Sequence, residues 1–132
     1  GLHIDLQWFH KQATRLPEAT WFSFHPATGD ATWQIEKMDS EISPLDVVEN
    51  GNRHLHASGR FVSCRDDGAG FTIAALDSPL VAPGQRCLLD FNNHQPDMRE
   101  GVHFCLHNNL WGTNFPMWFE EDCRFRFDLK LD

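Results

Sequence analysis

Cys123-Arg-Phe-Arg-Phe-Asp-Leu-Lys-Leu131 decides the fold class. Successive side chains of a strand point to opposite faces. Cys123, Phe125, Phe127, Leu129 and Leu131 therefore share one face, and Arg124, Arg126, Asp128 and Lys130 share the other. One apolar face and one charged face predict an antiparallel sheet that packs on a core on one side and meets water on the other. The chain opens in the same style, with Leu2, Ile4 and Leu6 alternating against His3 and Asp5.

Between these ends the pattern repeats in short pieces. Glu18-Ala-Thr-Trp-Phe-Ser-Phe24 is aromatic and closed by Pro26 and Gly29, and Thr32-Trp-Gln-Ile-Glu-Lys-Met38 alternates. Residues 60–64 and 71–76 flank Asp66-Asp-Gly-Ala-Gly70, which predicts a hairpin. Asn50-Gly51 predicts another, between Val47-Val48 and 53–56, because both residues tolerate the positive φ of a type I′ turn. Residues 87–91 and 102–107 read as further strands. No window carries a sustained i, i+3, i+4, i+7 stripe. Residues 6–16 admit a short helix, but Trp8, Phe9 and Pro17 fit a strand and a turn better. The expectation is an all-β chain, an antiparallel β-sandwich, spanning residues 1–132 as one domain.

At 132 residues, with eleven Phe and five Trp, the chain has the mass to bury a core. Its formal charge of −8 argues against nucleic acid and against an anionic membrane surface as partner. No apolar run approaches the roughly 18 residues of a membrane span. Strand-like alternation begins right after Gly1, so the chain reads as a segment excised from a larger protein, with Gly1 a cloning or processing remnant. Cys64, Cys87, Cys105 and Cys123 are isolated and lack zinc-finger spacing. Two disulfides in any of three pairings are open to them. Four reduced thiols in a cytoplasmic, reducing compartment fit the apolar composition better.

Three groups of residues are candidates for chemistry. His54 with His56, and His103 with Cys105 and His107, each share a strand face. If their strands were neighbours, they would offer zinc a nitrogen-and-sulfur site. The plainer expectation is that these residues form the solvent-facing half of alternating strands, with no metal bound. Glu18 shares a face with Thr20, Phe22 and Phe24, where a charge is costly unless paired; Arg15 or Lys11 is the natural partner. The alternative makes Glu18 half of a glycosidic acid/base pair, with Asp5, Asp46 or Asp90 available as the second carboxylate.

Asn108-Asn-Leu-Trp-Gly-Thr-Asn-Phe-Pro-Met-Trp118 is the most distinctive stretch. Asn, Gly and Pro predict an irregular loop, yet Trp111, Phe115, Met117 and Trp118 give it the apolar mass of a core. The loop either caps one end of the fold, faces a neighbouring domain, or stacks a sugar ring on Trp beside the amides of Asn108, Asn109 and Asn114.

That stretch, followed by Arg124-Phe-Arg-Phe127, resembles the C-terminal end of proteins similar to glycoside hydrolase family 38, the family of the α-mannosidases. Arg15-Leu-Pro-Glu-Ala19 before Trp21-Phe-Ser-Phe24, Asn50-Gly-Asn-Arg-His-Leu-His-Ala57 and Leu76-Asp-Ser-Pro-Leu-Val-Ala-Pro-Gly84 look like further blocks of the same proteins, so the resemblance spans nearly the whole chain. It implies a galactose-mutarotase-like β-sandwich that packs on the catalytic domain of the same polypeptide and lends a loop to its substrate cleft. The zinc and catalytic carboxylates of such enzymes belong to that other domain, so the resemblance assigns no catalytic residue and no cofactor here. It implies a non-catalytic C-terminal β domain whose loop residues Asn108, Asn109, Trp111, Asn114, Phe115 and Trp118 meet the catalytic domain or a carbohydrate. The alternative is a carbohydrate-binding module that recognises glycans through Trp111 and Trp118.

Overall fold

The computed structural model describes residues 1–27, 29–88, 93–110, 114 and 117–132. Among them lie ten strands: β1 (Leu2–Trp8), β2 (Ala19–Phe24), β3 (Thr32–Lys37), β4 (Ser40–Ile42), β5 (His56–Ala57), β6 (Val62–Asp66), β7 (Ala69–Ala75), β8 (Leu80–Pro83), β9 (Val102–Asn108) and β10 (Cys123–Leu131). A short 3-10 turn, Met98–Glu100, is the one helical element among the described residues. The strands form two antiparallel sheets, ordered β1-β10-β7-β6-β3-β4 and β2-β9-β8-β5.

Residues paired across an antiparallel sheet share a face. In the larger sheet, Leu129 pairs with Ile73, Ile73 with Val62 and Val62 with Ile35. In the smaller sheet, Phe22 pairs with Phe104 and Phe104 with Val81. These two rows meet in one core, where Ile35, Val62, Ile73, Val81, Phe104 and Phe127 are fully buried. Phe127 bridges the sheets: its ring lies 5.0 Å from Phe22 and 5.3 Å from Phe104. Such aromatic pairs add about 0.5–1.5 kcal/mol each beyond their buried area. On the outer face of the larger sheet, Arg124 is forked onto Asp5 at 2.6 Å and Arg126 onto Asp77 at 2.8 Å, while Arg65 pairs with Asp132. The alternation of β10 thus has Phe127 buried on one side and its arginines paired on the other, with Leu131 left 70% exposed at the strand's end.

The turns depart from expectation in an instructive way. Asp67-Gly68 joins β6 to β7 as expected, with Gly68 at φ 89°. Asn50-Gly51 makes no hairpin. Asn50 is left-handed at φ 62°, but Gly51 donates to the Val48 carbonyl at 2.9 Å, and no strand follows until β5. The turn with two positive φ angles is Met38-Asp39, at 51° and 65°, between β3 and β4. Glu36 supports this unlikely pair. Its buried carboxylate accepts the Asp39 N–H at 2.6 Å and the Arg60 N–H at 2.5 Å. Those donors, the Arg60 backbone first, hold its carboxyl below the usual carboxylate range. Cys87 and Leu88 lie outside any strand, and the remainder of the expected 87–91 strand falls outside the described residues.

β9 carries one extra residue. Thr20 pairs with His107 and Trp21 with Cys105, which leaves Leu106 without a partner across from β2. Leu106 packs on the core, and every side chain beyond it changes its relation to the sheet. The candidate loop begins at this bulge.

Candidate functional site

Past the bulge, two adjacent asparagines have opposite fates. Asn108 is exposed, its amide 3.8 Å from the Cys105 sulfur. Asn109 is 6% exposed. Its side-chain oxygen accepts the Glu18 N–H at 2.5 Å, and its amide donates to the Leu16 carbonyl at 3.1 Å and the Thr14 carbonyl at 3.5 Å. Its own N–H donates to the Glu18 carbonyl at 3.0 Å. A segment with no strand of its own, 14–18, is thereby clamped to the end of β9.

Lys11 completes the clamp. Its ammonium donates to Glu18 Oε1 at 2.6 Å and to the carbonyls of Gln12 at 3.1 Å and Phe119 at 3.5 Å, and sits 5.3 Å from the Trp8 ring. The Lys11 side chain is 2% exposed and that of Glu18 31%. Of the two partners expected for Glu18, the structure selects Lys11. Arg15 lies instead over the Trp118 ring at 5.3 Å. Of the carboxylates considered as a second acid, Asp5 is held by Arg124, Asp46 sits in the turn after Ser43, and Asp90 lies outside the described residues.

The knot presents an apolar surface. Trp8, Phe9, Leu16, Trp118 and Phe119 are all substantially exposed, Trp118 at 45%. Beneath it, the His107 ring lies 5.3 Å from Phe119, and both its nitrogens are buried with no hydrogen-bond partner among the described residues. Burial pushes the His107 imidazole below its ordinary value, with Lys11 adding to the effect. Acidic Glu120, Glu121 and Asp122 border the patch, and Asp122 accepts the N–H of His10, a residue held at φ 53°. Asn114 is exposed; Trp111 and Phe115 lie outside the described residues.

The histidines are not where alternation put them. His54, His56 and His103 are buried and His107 is half-buried, so they are not a solvent-facing half-strand. β8 separates β5 from β9. His56 pairs with Val81 on the core-facing side, whereas His103 pairs with Ala82 on the other. His56 and His103 thus point to opposite faces, and among the described residues no cluster of three His, Cys, Asp or Glu side chains could hold a metal ion. His56 meets Lys37 Nζ at 3.1 Å; burial, with Lys37 adding, pushes its imidazole down to about 4. The four cysteines, all among the described residues, carry thiols rather than disulfides. Cys64 and Cys105 are buried, and burial raises the Cys105 thiol.

Sequence reasoning passed over a second arrangement on the outer face of the smaller sheet. Ser23 and His103 are cross-strand partners, with Ser23 Oγ 2.7 Å from His103 Nδ1. His103 Nε2 is 3.1 Å from the Gly84 carbonyl. A signal was present: Ser23 and His103 both lie in clear strands. Nothing local in the sequence says those strands are adjacent.

The chain matches no family model, no curated protein and no solved structure.

Proposed function

We propose that this chain is the C-terminal β domain of an α-mannosidase-like glycoside hydrolase, galactose-mutarotase-like in architecture, that takes no part in glycoside cleavage itself. It packs on the catalytic domain of the same polypeptide through its aromatic end and lends the 108–118 loop to the rim of the substrate cleft. Any zinc of the enzyme resides in that catalytic domain. One observation carries the reading: Asn109 and Lys11 lock segment 11–18 to residues 109 and 119, fixing a base under Trp8, Phe9, Leu16, Trp118 and Phe119, which stay exposed. Burying a large apolar side chain contributes about 1.5–3 kcal/mol only when something covers it. Rigid positioning of uncovered aromatic area is what a docking face requires.

The second reading, a carbohydrate-binding module, draws on the half-exposed Trp118 ring with a guanidinium on it and exposed Asn108 and Asn114 nearby in sequence. Amide hydrogen exchange, measured on the chain alone and on the full-length polypeptide, tests the first. Residues 8–18 and 117–121 should gain protection in the longer protein and lose it with Trp118→Ala. Equal exchange in both proteins would remove the docking reading. Glycan binding by the chain alone, abolished by Trp118→Ala, would establish the second reading in its place.

A further inference from the structure

The geometry points to a nucleophile–base pair, Ser23 with His103, whose histidine lines a cleft of about 500 Å³ and which is arranged for acyl transfer from esters. The site lies away from the aromatic end and goes beyond the docking role. His103 and Asn109 are six residues apart, roughly 20 Å along an extended strand, so covering the aromatic end leaves this cleft open.

The hydrogen-bond directions follow from chemistry. The Gly84 carbonyl can only accept, so His103 Nε2 carries the proton and donates to it. Nδ1 is then a lone-pair acceptor, and Ser23 Oγ–H donates to it at 2.7 Å. A hydroxyl is thus polarised by an imidazole whose far nitrogen is fixed by a third group, which is the relation nucleophilic catalysis needs. A main-chain carbonyl takes the place of the usual carboxylate as the positioning group. Burial pushes the His103 imidazole below its ordinary value, which keeps it in the neutral, basic form.

The surroundings are shaped around His103. Gly84 and Gly101 both have left-handed φ, at 73° and 82°, and the Gly84 N–H donates to the Gly101 carbonyl at 2.9 Å. A Cβ on Gly101 would stand 2.1 Å from the Phe24 carbonyl oxygen, and one on Gly84 would stand 2.9 Å from that of Asp97. These glycines allow the backbone to close around His103. The cleft is lined by His25, Gln85, Arg86, Asp97 and Glu100 along with Gly84 and His103. The His25 ring stands 5.2 Å from that of His103, and Arg86 supplies positive charge for a developing oxyanion. β2 is an edge strand and Ser23 is only half-buried, so its hydroxyl can be approached from the open side.

The reaction balances with water as the only co-reactant. Ser23 Oγ bonds to the ester carbonyl carbon while its proton passes to His103 Nδ1, and the carbonyl π electrons move to oxygen. Collapse breaks the bond to the alkoxide, which takes the proton from Nδ1 and leaves as alcohol. Water then attacks the acyl-serine and gives its proton to Nδ1. That proton returns to Ser23 Oγ as the carboxylic acid departs.

The test is labelling of the full chain with a fluorophosphonate probe, read by intact mass and peptide mapping, alongside hydrolysis of p-nitrophenyl acetate. One adduct on Ser23 is expected, with none in Ser23→Ala. His103→Gln should slow labelling about 100-fold or more, the usual contribution of a general base. Arg86→Gln, at an exposed position that leaves the fold intact, should slow it about tenfold or more, which keeps the test informative if His103→Gln unfolds. No adduct on Ser23 in the folded chain, or an adduct whose rate is the same in Arg86→Gln and in a folded His103→Gln, would overturn the assignment and leave a structural hydrogen bond.

Discussion

Replacing Asn109 by Ala separates the clamp from the loop that it begins. The side chain gives three hydrogen bonds, to the Glu18 N–H at 2.5 Å, the Leu16 carbonyl at 3.1 Å and the Thr14 carbonyl at 3.5 Å. A buried group stripped of its partner costs about 1–3 kcal/mol, and one that water can reach costs less. The Glu18 N–H loses its acceptor at a part-buried position, whereas Leu16 is largely exposed and its carbonyl can rehydrate. The loss should therefore be about 2–3 kcal/mol, or roughly 6–15 °C in melting temperature for a domain of this size. Asn108→Ala removes only a 3.8 Å contact to sulfur and should stay within about 0.5 kcal/mol. Urea denaturation of both variants, with the slope unchanged, checks the contrast. Equal midpoints for the two variants would refute the argument that Asn109 fastens segment 14–18.

Other expectations follow from the same geometry. Glu18→Ala leaves the Lys11 ammonium buried without its carboxylate; because Glu18 is itself 31% exposed, the loss should fall to about 2–3 kcal/mol, below the roughly 3–5 of a fully buried pair, by urea midpoint. His56 has its folded value depressed to about 4 from 6.5, so stability is fully present above pH 6.5, declines as the unfolded chain takes up the proton, and levels off below pH 4. The swing is about 3 kcal/mol, and His56→Gln should flatten that part of the pH profile. Gly101→Ala forces a Cβ to 2.1 Å from a backbone oxygen at a left-handed φ and should cost more than about 3 kcal/mol or abolish folding, visible by circular dichroism. Phe127→Ala, which empties the bridge between the sheets, should cost about 3–5 kcal/mol in the same assay.

What alternation could reveal was limited to strands with one wet face. β1 and β10 were legible because their outer residues are polar or charged. β8, Leu80–Pro83, is buried from Val81 on, carries a terminal proline and alternates in nothing, so its sequence offers no period to read. The Met38-Asp39 turn was hidden because its support comes from the Glu36 carboxylate and from the Arg60 backbone, the latter over twenty residues away. Asn50-Gly51 misled because a left-handed preference makes a hairpin only when strands are there to pair. The Glu18–Lys11 pair was legible from cost alone: a carboxylate beside an apolar run needs a cation within reach. The meeting of Arg15 with Trp118, and of Ser23 with His103, depends on sheet order, which no local pattern encodes.

Leu106 acts as a phase shifter between scaffold and site. Upstream of it, β9 obeys the period of the sheet, and its residues serve the core or the opposite face by parity. Downstream, the phase is advanced by one: His107 and Asn108 still pair with Thr20 and Ala19, but on the opposite parity, and Asn109 leaves the ladder for the loop. The two halves of the strand can thus be altered independently: substitutions after the bulge rework the aromatic end without touching the alignment of Phe104 with Phe22 and Val81. A deletion at Leu106 would do the reverse, mending the ladder while turning the buried amide of Asn109 away from the segment that it holds.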